Sequence, residues 1–328
     1  LDKAVLYLPI YYLGMPALAI YNFGNAVYSA VGNTKKPLYY LGFSGVLNII
    51  LNLFFVIVCH MDVAGVALAS IISQYVSAAL ILQALLRCKD IYALHPGKLR
   101  LDPELTKDIL KLGMPSGLQN VIFQFANSFV QMGVNSFDAT MVAGNSAATN
   151  ADAMVYDVMA AFYTACGSFM GQNYGAGKPE RIWLGIKASV LMMIIYAAFT
   201  FVLLMSGAKY FALIFVDPSE TEILLDTELF LHISCMFFPV LGLLCVLRYT
   251  IQGVGFTNLA MFSGVAEMIA RILVSLYAVP AFGFLAVCYG DPLAWIAADL
   301  FLVPAFIYVY KRLKKQVLTN ASVTQAVA

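Results

Sequence analysis

Charge is scarce in this sequence. Only 11% of its 328 residues are Asp, Glu, Lys or Arg, against 62% hydrophobic residues. So few polar side chains cannot coat a water-soluble globule of this size, and a mean hydropathy of +0.83 places the chain in lipid. An excess of either sign is also missing, since nineteen Lys and Arg face eighteen Asp and Glu. The basic residues form short clusters between apolar runs, which excludes a nucleic-acid-binding face. Histidine is limited to His60, His95 and His232, none with a Cys, Asp or Glu at motif spacing, so metal-centred and nucleophile-base catalysis lack their residues and an enzyme is not expected. The six cysteines show no CxxC and read as small buried hydrophobes. The glycine-rich stretch Gly171 to Lys178 lacks the spacing of a phosphate-binding loop and reads as a helix-ending turn.

What the sequence has instead is long apolar runs. Nine of them reach the roughly 20 residues that cross a bilayer: 4–31, 38–59, 63–87, 113–136, 147–172, 182–207, 227–250, 258–280 and 284–310. The fold class expected is an all-α integral membrane protein. If residue 1 lies outside, the inner loops collect fourteen Lys and Arg, among them Lys35, Lys178 and Arg312, and the outer loops only Lys3 and Lys209. The positive-inside rule then places the C-terminus in the cytoplasm, in the plasma or inner membrane.

One sparse signature occurs twice at a constant offset of 223: Leu8 with Leu231, Ile10 with Ile233, Val31 with Val254, Gly32 with Gly255 and Thr34 with Thr257. Repeated membrane blocks are the mark of transporters built from two similar halves with the substrate cavity between them. The domains expected are 1–88 as part of a first lobe, 89–112 as a cytoplasmic linker and 113–328 as a second lobe. In the second lobe about 114 residues precede the signature, so the repeat predicts a comparable segment upstream of residue 1.

Polar residues inside apolar spans should face protein or a water-filled cavity. In the first lobe these are Asn22, Asn25, Asn48, Asn52, Ser70 and Gln74. They suit either helix-helix hydrogen bonds or a cation site made of amide and hydroxyl oxygens. The offset maps Asn25 onto Arg248 and Asn48 onto Arg271, and Glu267 stands four residues before Arg271, the favourable order for an intrahelical ion pair. Asp157 and Asp299 lie deep by residue count and are cavity candidates, whereas Asp152 is expected to be solvated at an outer mouth.

The segments Gly113-Met114-Pro115-Ser116-Gly117-Leu118-Gln119, Gly171 to Lys178 followed by Glu180-Arg181, Val31 to Pro37 and Gly65 to Ser70 resemble the multidrug and toxic compound extrusion (MATE) transporters. The resemblance covers essentially the whole chain. It implies a two-lobed helical bundle with an internal repeat, of which this chain holds nine of twelve transmembrane helices, helices four to twelve. It also implies a monomeric, cation-coupled antiporter that uses Na+ or H+ to expel small organic, often cationic and amphipathic compounds, with no cofactor beyond that ion. The positions matching the family's first-lobe cation site are Asn25, Asn48, Asn52 and Ser70, with a sodium ion as one expected occupant. Asn52 stands where the family carries an Asp, and the expected helix-seven acid is absent between Gln119 and Gln124. Gln119, Gln124, Arg248, Glu267, Arg271, Asp157 and Asp299 are the expected cavity or gating residues. A flippase for lipid-linked saccharides is the alternative, because Arg248 and Arg271 could face phosphate.

Overall fold

The computed structural model describes residues 2–327, with side chains described over 5–314. All regular structure among the described residues is helical. The helices are α1 (Asp2–Tyr12), α2 (Met15–Ala30), α3 (Lys35–Leu53), α4 (Asp62–Arg87), α5 (Pro103–Val134), α6 (Ala139–Gly175), α7 (Pro179–Ala212), α8 (Thr221–Gly253), α9 (Thr257–Leu273), α10 (Val279–Phe282) and α11 (Phe284–Val327). Six helices among the described residues are long and apolar enough to cross a membrane, and α1 with α2 makes a seventh if the bent pair is one span. The runs 113–136 and 147–172 fall on α5 and α6. At 32 and 37 residues these exceed bilayer length but carry more polar side chains, such as Asn145, Thr149 and Asp152.

The first expected span is not straight. Pro16 has no N–H and would press on the carbonyl four residues back, and Gly14 beside it lets the chain turn, so α1 and α2 meet at 47°. Pro239 is the repeat partner of Pro16 at offset 223, yet α8 runs through it unbroken, with Phe237 where the first copy has Gly14.

The repeat is visible in backbone detail. After α2, Asn33 N–H donates to Tyr28 O at 2.9 Å and Gly32 N–H to Ser29 O at 3.0 Å; after α8, Phe256 donates to Ile251 O at 3.0 Å and Gly255 to Gln252 O at 2.9 Å. Both are Schellman turns, with Gly32 at φ 78° and Gly255 at φ 90°. The same offset pairs His60, at φ 52°, with Gly283, at φ 62°. In both copies the second helix also loosens into a π-helix, at Phe54–Val58 and Val274–Ala278. The Gly171 to Lys178 stretch ends α6 in a third such turn: Lys178 N–H donates to Asn173 O at 2.9 Å, and Gly177 has φ 65°. Because an added methyl at Gly32 would touch nothing within 4 Å, Gly32→Ala isolates the backbone effect. It is expected to lower unfolding stability in detergent by about 1–2 kcal/mol, whereas Gly42→Ala, equally open but in helical backbone, should not destabilise.

The contacts divide the chain into two compact units, Leu1–Leu101 and Asp102–Ala328. α5 starts at Pro103, inside the expected linker 89–112. Asp102 caps it, accepting from Glu104 N–H at 3.0 Å and Leu105 N–H at 3.3 Å, with proline in the first turn. In unit 1, α4 packs against α1, α2 and α3, and Tyr21, Tyr28, Ile81 and Leu85 form the core. In unit 2, α8 is the central helix, touching α6, α7 and α11, while α9 lies against α5 and α11.

Candidate functional site

Unit 2 holds a half-open cavity of about 370 Å³ walled by side chains of α5, α6, α8, α9 and α11. Along one wall runs a chain of alternating charges. Arg248 of α8 bonds one oxygen of Glu267 of α9, and the other oxygen accepts from Arg271 Nη1 at 3.2 Å, the expected pair four residues apart. Arg271 continues to Asp291 of α11, with Nε at 2.9 Å and Nη2 at 2.8 Å from the same Oδ1. Arg248 Nε also donates to Ser263 Oγ at 3.0 Å, and the Arg271 guanidinium lies 4.6 Å from the centre of the Phe123 ring. Glu267 and Arg271 are each 2% exposed, so neither charge could stand there alone. Two guanidiniums and two carboxylates leave this wall without net charge if all four are ionised.

Distant in sequence but on the same cavity stands Asp152 of α6, whose Oδ1 is buried with no hydrogen-bond partner. This corrects the expectation of a solvated mouth. α6 begins at Ala139, capped by Asp138 accepting from Met141 N–H at 2.9 Å, so Asp152 lies nearly four turns inside the helix. Asn127, Gln131, Asn145 and Thr149 add amides and a hydroxyl, and Tyr156 and Trp295 add aromatic surface. Asp291 and this polar lining were not anticipated. The Asp291-Pro292 step inside an apolar span was the available signal.

The other expected cavity residues divide. Gln119 is buried and accepts from Gln252 Nε2 at 2.8 Å, tying α5 to α8 rather than lining the cavity. Asp299 is buried with an unpartnered Oδ1 and lines a separate, mainly apolar cavity beside Val240 and Leu300. Asp157 and Gln124 are exposed on α6 and α5 and lie outside the unit 2 cavity, because residue count gives depth along a helix but not the face.

In unit 1, Asn52 Nδ2 donates to Asn48 Oδ1 at 3.0 Å, leaving Asn52 Oδ1 buried without a donor. Gln74 Oε1 is a second buried acceptor without a donor. Ser70 Oγ donates to Val66 O of its own helix at 3.0 Å. Among the described residues no hydrogen bond joins Asn25 or Ser70 to the asparagine pair, so of the four expected cation ligands the structure brings together Asn48 and Asn52.

The sequence model of the MatE family matches residues 1–54 and 115–277. "Probable multidrug resistance protein YpnP" of Bacillus subtilis is 31% identical over 251 residues, 76% of this chain and 55% of that protein. An FAD transporter of Shewanella oneidensis is 23% identical over 242 residues, 71% of this chain and 52% of the relative. The chain thus spans about half the length of the curated relatives it matches. The crystal structure of MATE in complex with MaL6 has the same fold over 95% of this chain and 71% of that one, with a TM-score of 0.86 at 20% identity.

Proposed function

The chain belongs to the MatE family of membrane transporters, and on that premise we propose that it works in a cation-coupled antiporter that exports small organic compounds by alternating access. The observation that carries this reading is the cavity among the membrane helices of unit 2, where Arg248 and Arg271 face three carboxylates, those of Glu267, Asp291 and Asp152. Such groups persist in an apolar setting where they face a substrate or water path. Exported compounds would meet the Asp152 carboxylate and the rings of Tyr156 and Trp295, surfaces that suit an amphipathic molecule bearing a positive charge.

The coupling ion, Na+ or H+, is assigned to unit 1. Asn52 Oδ1 offers a buried acceptor that no protein donor uses, beside Asn48. Amides alone hold a cation weakly, and an added carboxylate strengthens a site of this kind. In vesicles with imposed sodium or proton gradients, Asn48→Leu is expected to lower ion-driven efflux by roughly tenfold, the loss of about 1.4 kcal/mol in ion binding. Asn52→Asp should tighten cation binding or shift its pH dependence. Unchanged coupling in both variants, at normal expression, would move the ion site away from unit 1.

A narrower substrate reading has one observation behind it. A relative named as an FAD transporter makes a metabolite, rather than a drug, a cargo to test in the same vesicles. The flippase alternative has less support, since Glu267 and Asp291 already occupy the guanidiniums that a lipid phosphate would need.

A further inference from the structure

Outside the polar cavity, unit 2 carries a second groove, of about 420 Å³, between the first two turns of α7 and residues 306–314 of α11. It runs some two helical turns, or about 12 Å. Ile182, Ile186, Val309 and Leu313 make its apolar wall. Partway along it Trp183 and Tyr310 lie with ring centres 5.3 Å apart. Lys187 rises from one turn deeper to hold its ammonium 5.4 Å from the Trp183 ring centre, and Lys314 lines the same groove. A Trp-Tyr pair marks the level of lipid headgroups, and a lysine climbing along an apolar helix towards that level is snorkelling. Glu180 is the one acid in the lining, against Lys314 there and Lys187 beside it.

We propose that this groove is a specific site for one anionic phospholipid, with an acyl chain along the α7 and α11 wall and its phosphate between Lys187 and Lys314. The occupant follows from the combination of features. A water-soluble anion has no use for the apolar wall, and a zwitterionic lipid gains little from the positive charges of Lys314 in the groove and Lys187 beside it. Under the orientation expected from loop charge, the site draws from the inner leaflet. The inference needs the chain to span a bilayer but does not depend on what it transports.

The sequence has two tryptophans, so Trp295→Phe leaves Trp183 as the only indole, placed in the groove itself. Quenching of that indole by brominated phosphatidylglycerol and by brominated phosphatidylcholine, in bilayers of mixed composition, gives the relative affinity of the two lipids for the site. A preference for phosphatidylglycerol of roughly fivefold or more is expected, the effect of one basic residue near a charged lipid surface. In Lys187→Gln/Lys314→Gln it should fall to about parity, and in Glu180→Gln it should rise. Equal quenching by both lipids overturns the proposal. So does a preference that survives the double substitution, which would trace it to the general basic surface. If the double variant does not fold, an unchanged preference in Glu180→Gln overturns the proposal in its place.

Discussion

Replacing Glu267 by alanine is expected to cost about 3–5 kcal/mol of unfolding stability, the largest loss of any single substitution along the charged wall. The carboxylate gives one oxygen to Arg248 and the other to Arg271, so its removal leaves one guanidinium with only Ser263 and the other with only Asp291. Desolvation has already been exacted from both arginines, and it is the unrepaid part that appears as lost stability. The effect should therefore be non-additive. Arg248→Met/Glu267→Met, which removes one pair and keeps the volume apolar, is expected to be markedly more stable than Glu267→Ala, although Arg271 then relies on Asp291 alone. Chemical unfolding of the single and double variants in one detergent checks this. Additive losses would mean that the network is solvated and contributes little.

A loss of about 1–3 kcal/mol is expected from a change as small as Gly253→Ala. A methyl placed on Gly253 would lie 2.6 Å from the backbone oxygen of Gly167 and 3.0 Å from Met170 Cβ, and one on Gly171 would lie 3.3 Å from Gly253 O. Gly167 and Gly171 are four apart on α6, the small-residue spacing that lets two membrane helices meet backbone to backbone. The added methyl has no flexible neighbour to displace, so α6 and α8 must separate. Those two helices carry Asp152 and Arg248 to the cavity, so the proposed transport should fall with stability. Gly207→Ala on α7 meets nothing within 4 Å and should have the opposite sign, stabilising by about 0.5–1 kcal/mol through helix propensity. Equal effects at the two glycines would remove the close-approach argument.

Features with a local cause were legible in the sequence. The Glu267 and Arg271 pair follows from helical spacing, the turns after α2, α6 and α8 from glycine at one fixed place, and the membrane helices from run length. What escaped depends on azimuth and on packing between helices. Asp291 reaches Arg271 only because α11 lies beside α9, and no count along the chain reveals that. Asp152 and Asp157 sit five residues apart on one helix, and their order of promise was inverted. Residue count sets Asp157 deeper than Asp152, while the face each presents is decided by the neighbours of α6. The early start of α5 was readable in Asp102-Pro103-Glu104, a capping signal masked by the basic residues around it. In unit 1 the asparagine pair was foreseeable from spacing, but convergence of four oxygens from three helices was not a local matter.

The same proline stands in both copies of the repeat, yet only Pro16 breaks its helix. In mechanical terms the copies are therefore unequal springs. The turns that follow α2 and α8 are each stapled by two hydrogen bonds, which stiffens each helical hairpin into a lever. At Gly14 the helical ladder is interrupted, whereas α8 carries Pro239 within a continuous rod. Backbone compliance in the first copy is then concentrated at that joint, whereas in α8 the one hydrogen bond that Pro239 cannot donate is lost inside an otherwise unbroken helix. A load applied to both copies would flex the first at Gly14 more readily than it would bend α8.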